Sequence, residues 1–126
     1  MQNQNLTLSA LEHTWIIDLD GTLVEHNGYK NGEDKLLEGA KEFVDSIPKE
    51  DFILILTARE VAAKQKTELF LKEKGIRYNQ ILFEMPFGER ILINDNKPSG
   101  LKCAHALTPE RNKGLKDLKI EIDNNI

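Results

Sequence analysis

Trp15-Ile16-Ile17-Asp18-Leu19-Asp20-Gly21-Thr22-Leu23-Val24 is the stretch whose reading sets the fold. An apolar run ends in a carboxylate, and a second carboxylate follows two residues on. Asp is disfavoured inside strands, so the pattern predicts a strand over residues 14–19 with Asp18 at its carboxyl end. Open parallel sheets bind ligands at that edge. A carboxylate there can attack phosphorus and form an aspartyl-phosphate. Its charge repels an anionic phosphate, which calls for Mg2+, a cation that takes oxygen ligands and keeps several waters. The second acid, Asp20, can protonate a leaving alkoxide and then take a proton from water. Gly21 permits the tight turn between the two, and Thr22 can donate its hydroxyl to a phosphate oxygen. Asp20-Gly21 alone reads as a plain strand-ending turn; the whole run favours chemistry.

The rest of the chain bounds that reading. Its 126 residues fit one domain, residues 1–126, with a leader at 1–13 and a polar tail at 108–126. A net charge of −4 speaks against sequence-independent nucleic-acid binding, which needs a basic footprint. The single cysteine, Cys103, excludes an internal disulfide framework and fits a reducing cytoplasm. The amino terminus lacks the basic start and apolar centre of a signal peptide, and no run approaches a membrane span. A soluble cytoplasmic protein is expected.

Outward from the first strand, residues 25–35 form a glycine-punctuated loop that should hang over the site. Its His26, Tyr29 and Lys30 are candidate substrate contacts. Residues 36–47 carry apolar side chains at helical spacing, with Asp34 as a candidate N-cap and Pro48 as the stop. Phe52-Ile-Leu-Ile-Leu56 is a continuous apolar run that suits a strand covered on both faces. It ends in Thr57-Ala58-Arg59-Glu60, where Thr57 and Glu60 have capping-box spacing for a helix over 61–74. The same place presents a hydroxyl and a helix amino terminus to phosphate. Leu69, Phe70 and Leu71 should face inward and Gly75 should close the helix. A short third strand over 80–83 precedes the loop Glu84–Arg90. A fourth strand is expected over 91–94, ending in Asp95-Asn96-Lys97-Pro98, and a fifth over 103–107. Asp95, at a strand end, is a candidate metal ligand. No His-Cys pair has zinc-ligand spacing.

Asp18-Leu-Asp-Gly-Thr-Leu resembles the first motif of the haloacid dehalogenase-like (HAD) phosphohydrolases, and the resemblance extends over roughly residues 14–107. It implies Asp18 as nucleophile and Asp20 as general acid/base. It implies phosphate binding by Thr57, with Ala58 and Arg59 of the same run as further candidates, Arg59 either reaching substrate or pairing at the surface, and Mg2+ held by Asp18, the backbone carbonyl of Asp20, and Asp95. Asn94 stands where many members carry a further acid. The family's third motif, a lysine or arginine on the phosphoryl group, has no clear counterpart. Arg90 and Lys97 are the candidates, with Lys97 the nearer to Asp95 in sequence. The implied fold is α/β: a Rossmann-like three-layer sandwich around one parallel sheet of about five strands, order 3-2-1-4-5, with no cap domain. The implied function is a Mg2+-dependent phosphomonoesterase. The stretch from Pro86 to Gly100 is also similar to small phosphatase-like proteins of surface-polysaccharide metabolism, which points to a sugar phosphate. Capless relatives shape their pocket with a large substrate or a neighbouring subunit, so a homo-oligomer, such as a tetramer, is expected. Two rivals stand beside this reading. One is a catalytically weak, phosphate-binding domain of the same fold. The other is a receiver-like signalling module, disfavoured because its acid pair follows an earlier strand than its phosphorylated Asp.

Overall fold

The computed structural model describes residues 4–126. Its elements, in chain order, are β1 (Gln4–Leu8), β2 (Thr14–Asp18), α1 (Ala40–Ser46), β3 (Phe52–Leu56), α2 (Lys64–Glu73), β4 (Gln80–Leu82) and β5 (Leu118–Ile122). β2, β3 and β4 form a parallel three-stranded sheet in spatial order β2-β3-β4, and β1 pairs with β5 in a separate parallel ribbon. The fold is therefore α/β with parallel strands in open sheets, but the single five-stranded sheet is not formed.

The central sheet follows from its apolar runs. Asp18 ends β2 opposite Leu56, the last residue of β3. Trp15 and Ile17 share a face with their register partners Ile53 and Ile55. With Ile81 they complete one core with Ala40 and Val44 of α1 and Leu71 of α2. Trp15 packs edge-on against Phe43 of α1, with ring centroids 5.7 Å apart. Burying each such large side chain contributes roughly 1.5–3 kcal/mol, so this face holds the sheet. The other face is different. Ile16, Phe52 and Leu82, which alternate with the core residues, remain 49%, 43% and 36% exposed. Both helices lie with the core face, so the second layer that a three-layer sandwich requires does not cover them.

The predicted strand at 91–94 and the predicted strand at 103–107 are both irregular. Ile91, Leu92 and Ile93 stand 83%, 56% and 91% exposed. A strand exists only where there is an edge to pair with, and this run meets none. The fifth strand is formed instead by the tail, whose β5 runs in register with the leader strand from Gln4↔Leu118 to Leu8↔Ile122. The first helix starts at Ala40 rather than residue 36. Residues 35–37 are drawn instead onto the segment after the first motif: Glu25 N–H donates to Lys35 C=O and Leu37 N–H to Leu23 C=O, at 2.9 Å each. Gly39, at φ +80°, makes the turn into α1, and Asp34 is not its cap. The second helix opens with a 3-10 turn at Val61–Ala63 whose N-cap Glu60 makes no side-chain cap bond, so the Thr57–Glu60 capping box is not made; the Val61 N–H donates instead to Glu84 Oε2 at 3.1 Å. Leu71 faces inward as expected, whereas Leu69 is 54% exposed.

The tail is tied to the front of the molecule. Leu115 N–H donates to Glu38 C=O at 2.8 Å and Asn112 N–H to Gly21 C=O at 2.9 Å. A Cβ added at Gly39 would lie 2.6 Å from the Lys116 amide nitrogen, so the two backbones touch there. No helix among the described residues is long and apolar enough to cross a membrane.

Candidate functional site

The carboxyl ends of β2 and β3 meet side by side, and four side chains gather there. Asp18 is the open one. Its Oδ2 accepts the Thr22 hydroxyl at 3.0 Å, and its Oδ1 lies 3.3 Å from Arg90 Nη1. Its side chain stays 36% exposed and that of Arg90 40%. An ion pair this wet holds loosely, on the order of 0–1 kcal/mol, so an incoming anion can compete for the guanidinium.

Asp20 is the closed one. Its Oδ2 accepts the Thr57 hydroxyl at 2.8 Å. Its Oδ1 accepts from Arg59 Nε at 3.0 Å and lies 2.9 Å from Nη2. Thr57 sits one residue past β3, fully buried, with its N–H on Leu82 C=O. Its Oγ1 also accepts the Arg59 N–H at 3.1 Å. The hydroxyl thus accepts on one side and donates on the other, which fixes its direction.

Arg59 is the hub of this half. Only 3% exposed, it grips Asp34 with both terminal nitrogens, Nη1 to Oδ2 at 3.0 Å and Nη2 to Oδ1 at 2.7 Å. Nη1 also donates to Thr67 Oγ1 of α2 at 2.8 Å. The Tyr29 ring lies across it, 4.0 Å from Cζ to centroid. Burial works against the guanidinium charge, but its hydrogen bonds to Asp34 and Asp20 and their charges outweigh it and hold its pKa above the ordinary arginine value. Every nitrogen is engaged, so Arg59 has no donor left for a ligand. Its work is to fix Asp20, the loop carrying Tyr29 and Asp34, and α2 into one block. Asp34, Thr67 and Tyr29 belong to the site in this structural sense. Sequence spacing does not reveal the Asp34 pairing, because the partners are 25 residues apart with no shared element. The available signal is an arginine directly after a strand end, where burial demands an acid.

Of the remaining candidates, Ala58 lies between these groups, partly exposed, with no acceptor for its N–H among the described residues. Arg90, not Lys97, is the cation beside Asp18. Arg90 does not start a strand; the loop after β4 folds back across the sheet's carboxyl edge. Lys97 stands in an exposed turn, its N–H on Leu101 C=O at 2.9 Å. Asp95 is exposed on the same segment and its carboxylate contacts none of the site residues. Among the described residues, no group of three or more His, Cys, Asp or Glu side chains could hold a metal ion. His26 packs its Nδ1 away from any partner while its N–H binds Asn112 Oδ1 at 2.8 Å.

The arrangement is a strand-end carboxylate that is accessible and faced by a cation, beside a second carboxylate held rigid by a buried arginine. It can present a nucleophile and a proton carrier at fixed separation. Comparison with family models, with curated proteins and with solved structures finds no match.

Proposed function

We propose that this chain is a phosphomonoesterase that works through an aspartyl-phosphate on Asp18. The observation that carries the reading is the contrast between the two acids. Asp18, its side chain 36% exposed, is the more open and is loosely paired, as a nucleophile must be, while Asp20, at 15%, is held with the buried Thr57 in a fixed hydrogen-bond chain beside it.

In the proposed first step, an Asp18 carboxylate oxygen bonds to phosphorus and the ester P–O bond breaks. The leaving oxygen takes a proton from Asp20. In the second step, Asp20 takes a proton from water, the water oxygen bonds to phosphorus, and the bond to Asp18 breaks to release phosphate. The Thr57 hydroxyl, donating to Asp20 Oδ2 at 2.8 Å, holds that carboxylate in place beside Asp18. Arg90 faces Asp18 and offsets the repulsion between two anions.

The donor set in one chain does not fit the Mg2+ site that the family resemblance implies. Of the three expected ligands, Asp18 and the backbone carbonyl of Asp20 stand together after β2, but Asp95 is exposed on the segment after Arg90 and joins no group of acids that could hold a metal ion among the described residues. A small sugar phosphate is the proposed substrate class, consistent with the net charge of −4, which disfavours nucleic acid. A second reading, a phosphate-binding domain with little turnover, is favoured by one observation: the lock on Asp20 that Arg59 imposes.

Phosphate release from a panel of phosphate esters, with and without Mg2+, separates the two. The expected result is turnover that Asp18→Asn abolishes while the circular dichroism spectrum is unchanged. Equal turnover in wild type and Asp18→Asn rules out the nucleophile; binding of phosphate with no turnover selects the second reading.

A further inference from the structure

The segment from Pro86 to Leu107 is an arm with no place in its own fold. Every residue from Pro86 to Gly100 is exposed. Among them Phe87 is 94% exposed, beside Ile91 at 83% and Ile93 at 91%. The arm leaves at Met85, whose N–H binds Thr57 C=O, and returns at Thr108, whose N–H binds Gln4 Oε1. Between these anchors its only backbone hydrogen bonds among the described residues close the turn at Lys97–Leu101. Folded chains seldom hold such an apolar run in water without a partner for it. Ile91-Leu92-Ile93 is also the composition of a strand.

The same fold has a strand missing. β2 is the edge of its sheet, with β3 on one side and no backbone partner on the other among the described residues. Parallel strands are ordinarily enclosed on both faces and both sides, yet Ile16 beside that edge is 49% exposed. The arm cannot fill this edge in its own chain as a parallel strand. Arg90, at its base, reaches Asp18 at the carboxyl end of β2. Residue 91 would have to start at the amino end, roughly 15 Å back along a strand rising about 3.3 Å per residue. Parallel crossovers need a dozen or more residues, and fewer than that separate Leu82 from Ile91. An antiparallel approach would set Asp95 against the amino end of β2. There the buried carboxylate of Asp51 already binds Trp15 Nε1 at 2.9 Å and the His13 amide, and a second carboxylate would repel it.

We propose that the arm crosses to a second copy of this chain, where Ile91–Asn94 adds as a parallel strand to the free edge of β2. The exchange is reciprocal about a two-fold axis, so both edges close and no open filament results. With Asn94 beside Asp18, Leu92 lies beside Ile16, and Asp95 of each arm follows the added strand to the carboxyl edge of the copy that receives it. The second open carboxylate that a single chain lacks next to Asp18 thus comes from the partner. This last consequence rests on the reading of Asp18 as the phosphoryl acceptor; the exchange itself does not.

The test begins with thiols. Ile16→Cys and Leu92→Cys are made separately in a Cys103→Ser background, unfolded together in urea, refolded and mildly oxidised. The expected result is a covalent dimer in the mixture that is strong relative to either variant alone. No such band in the mixture overturns the exchange. So does a chain carrying both thiols that closes its disulfide internally and runs as a monomer. The second measurement mixes Asp18→Asn with Asp95→Asn in the same way. Each alone is expected to be inactive. Mixed dimers hold one site with both acids intact, so the mixture should recover about a quarter of wild-type activity, half the dimers being mixed with one good site of two. A crosslinked mixture that recovers nothing overturns the shared site while the exchange stands. A wild type without turnover, but with the crosslink, shows that the phosphatase reading has failed and the exchange has not.

Discussion

Replacing Arg59 by Met tests the block on which the candidate site is built. Met matches the length of the aliphatic stem but removes the guanidinium. Two carboxylates, Asp34 with its side chain 4% exposed and Asp20 at 15%, then face each other with no cation between them. Thr67 also loses its donor. Breaking a buried ion pair from one side costs about 3–5 kcal/mol, because the remaining charge stays buried. Against a total stability of roughly 5–15 kcal/mol for a domain, that is about a fifth or more. Urea unfolding followed by Trp15, the single tryptophan, reads it directly. With a slope of about 2 kcal/mol per molar urea, a loss of about 4 kcal/mol lowers the midpoint by about 2 M. The double variant Arg59→Met with Asp34→Leu should recover part of the loss, since an apolar pair can replace a buried ion pair at little cost. An unchanged midpoint in Arg59→Met, or strictly additive losses in the double variant, would falsify the clamp. The effect should also be level across alkaline pH. Because the folded-state pKa of Arg59 is raised, its contribution is complete below the unfolded value and fades only as pH climbs through the folded one. Wild-type and variant midpoints should therefore run parallel from neutral pH to about pH 10.

Thr57→Val keeps the shape but leaves Asp20 Oδ2 and the Arg59 amide without a partner, so it should cost about 1–3 kcal/mol, with Thr57→Ser near wild type by urea midpoint. Gly39→Ala should destabilise by more than ~1 kcal/mol from the positive φ alone, and further because its Cβ would displace the Lys116 backbone; a thermal midpoint equal to wild type contradicts that contact. Tyr78 has its pKa raised by burial and then by Glu68, so the folded state holds its proton more tightly than the unfolded chain. Stability from this group is complete below the ordinary value of 10.0 and declines as pH rises past it; Tyr78→Phe should flatten that decline in alkaline urea titrations.

Three strands were legible because each carries its own signal. Phe52–Leu56 matches the apolar run residue for residue, and Asp18 ends β2 where a carboxylate can no longer be buried in the sheet. Ile91–Ile93 has an equally strong local signal and forms no strand, since β structure is completed by a neighbour rather than by composition. The helix starting late has the same cause. The apolar residues at 36 and 37 were read by their spacing, but the backbone of Leu23 and Glu25 offered hydrogen bonds that a helix would have forgone. Asp34 stands where a helix cap is expected, but the buried guanidinium of Arg59 makes a stronger claim on it. Local propensity located the elements, and long-range polar demand decided what their ends do.

That demand also explains why the two halves of the site differ in stiffness. Asp20, Thr57, Arg59, Asp34 and Thr67 satisfy one another within the chain, so this half is complete on folding and needs no ligand to form. Asp18 and Arg90 satisfy each other only weakly, at the surface, and the arm that follows Arg90 carries the apolar residues left unburied. A rigid acid beside a poorly satisfied one is a division of labour suited to phosphoryl transfer. In the proposed reaction Asp20, as proton carrier, would stay fixed, whereas Asp18 would exchange an arginine partner for phosphorus. The unsatisfied half is then where a second copy has most to gain by docking. Under the proposed exchange, burial of the arm and arrival of Asp95 beside Asp18 would occur in the same event, so assembly and completion of the proposed site would be one equilibrium rather than two.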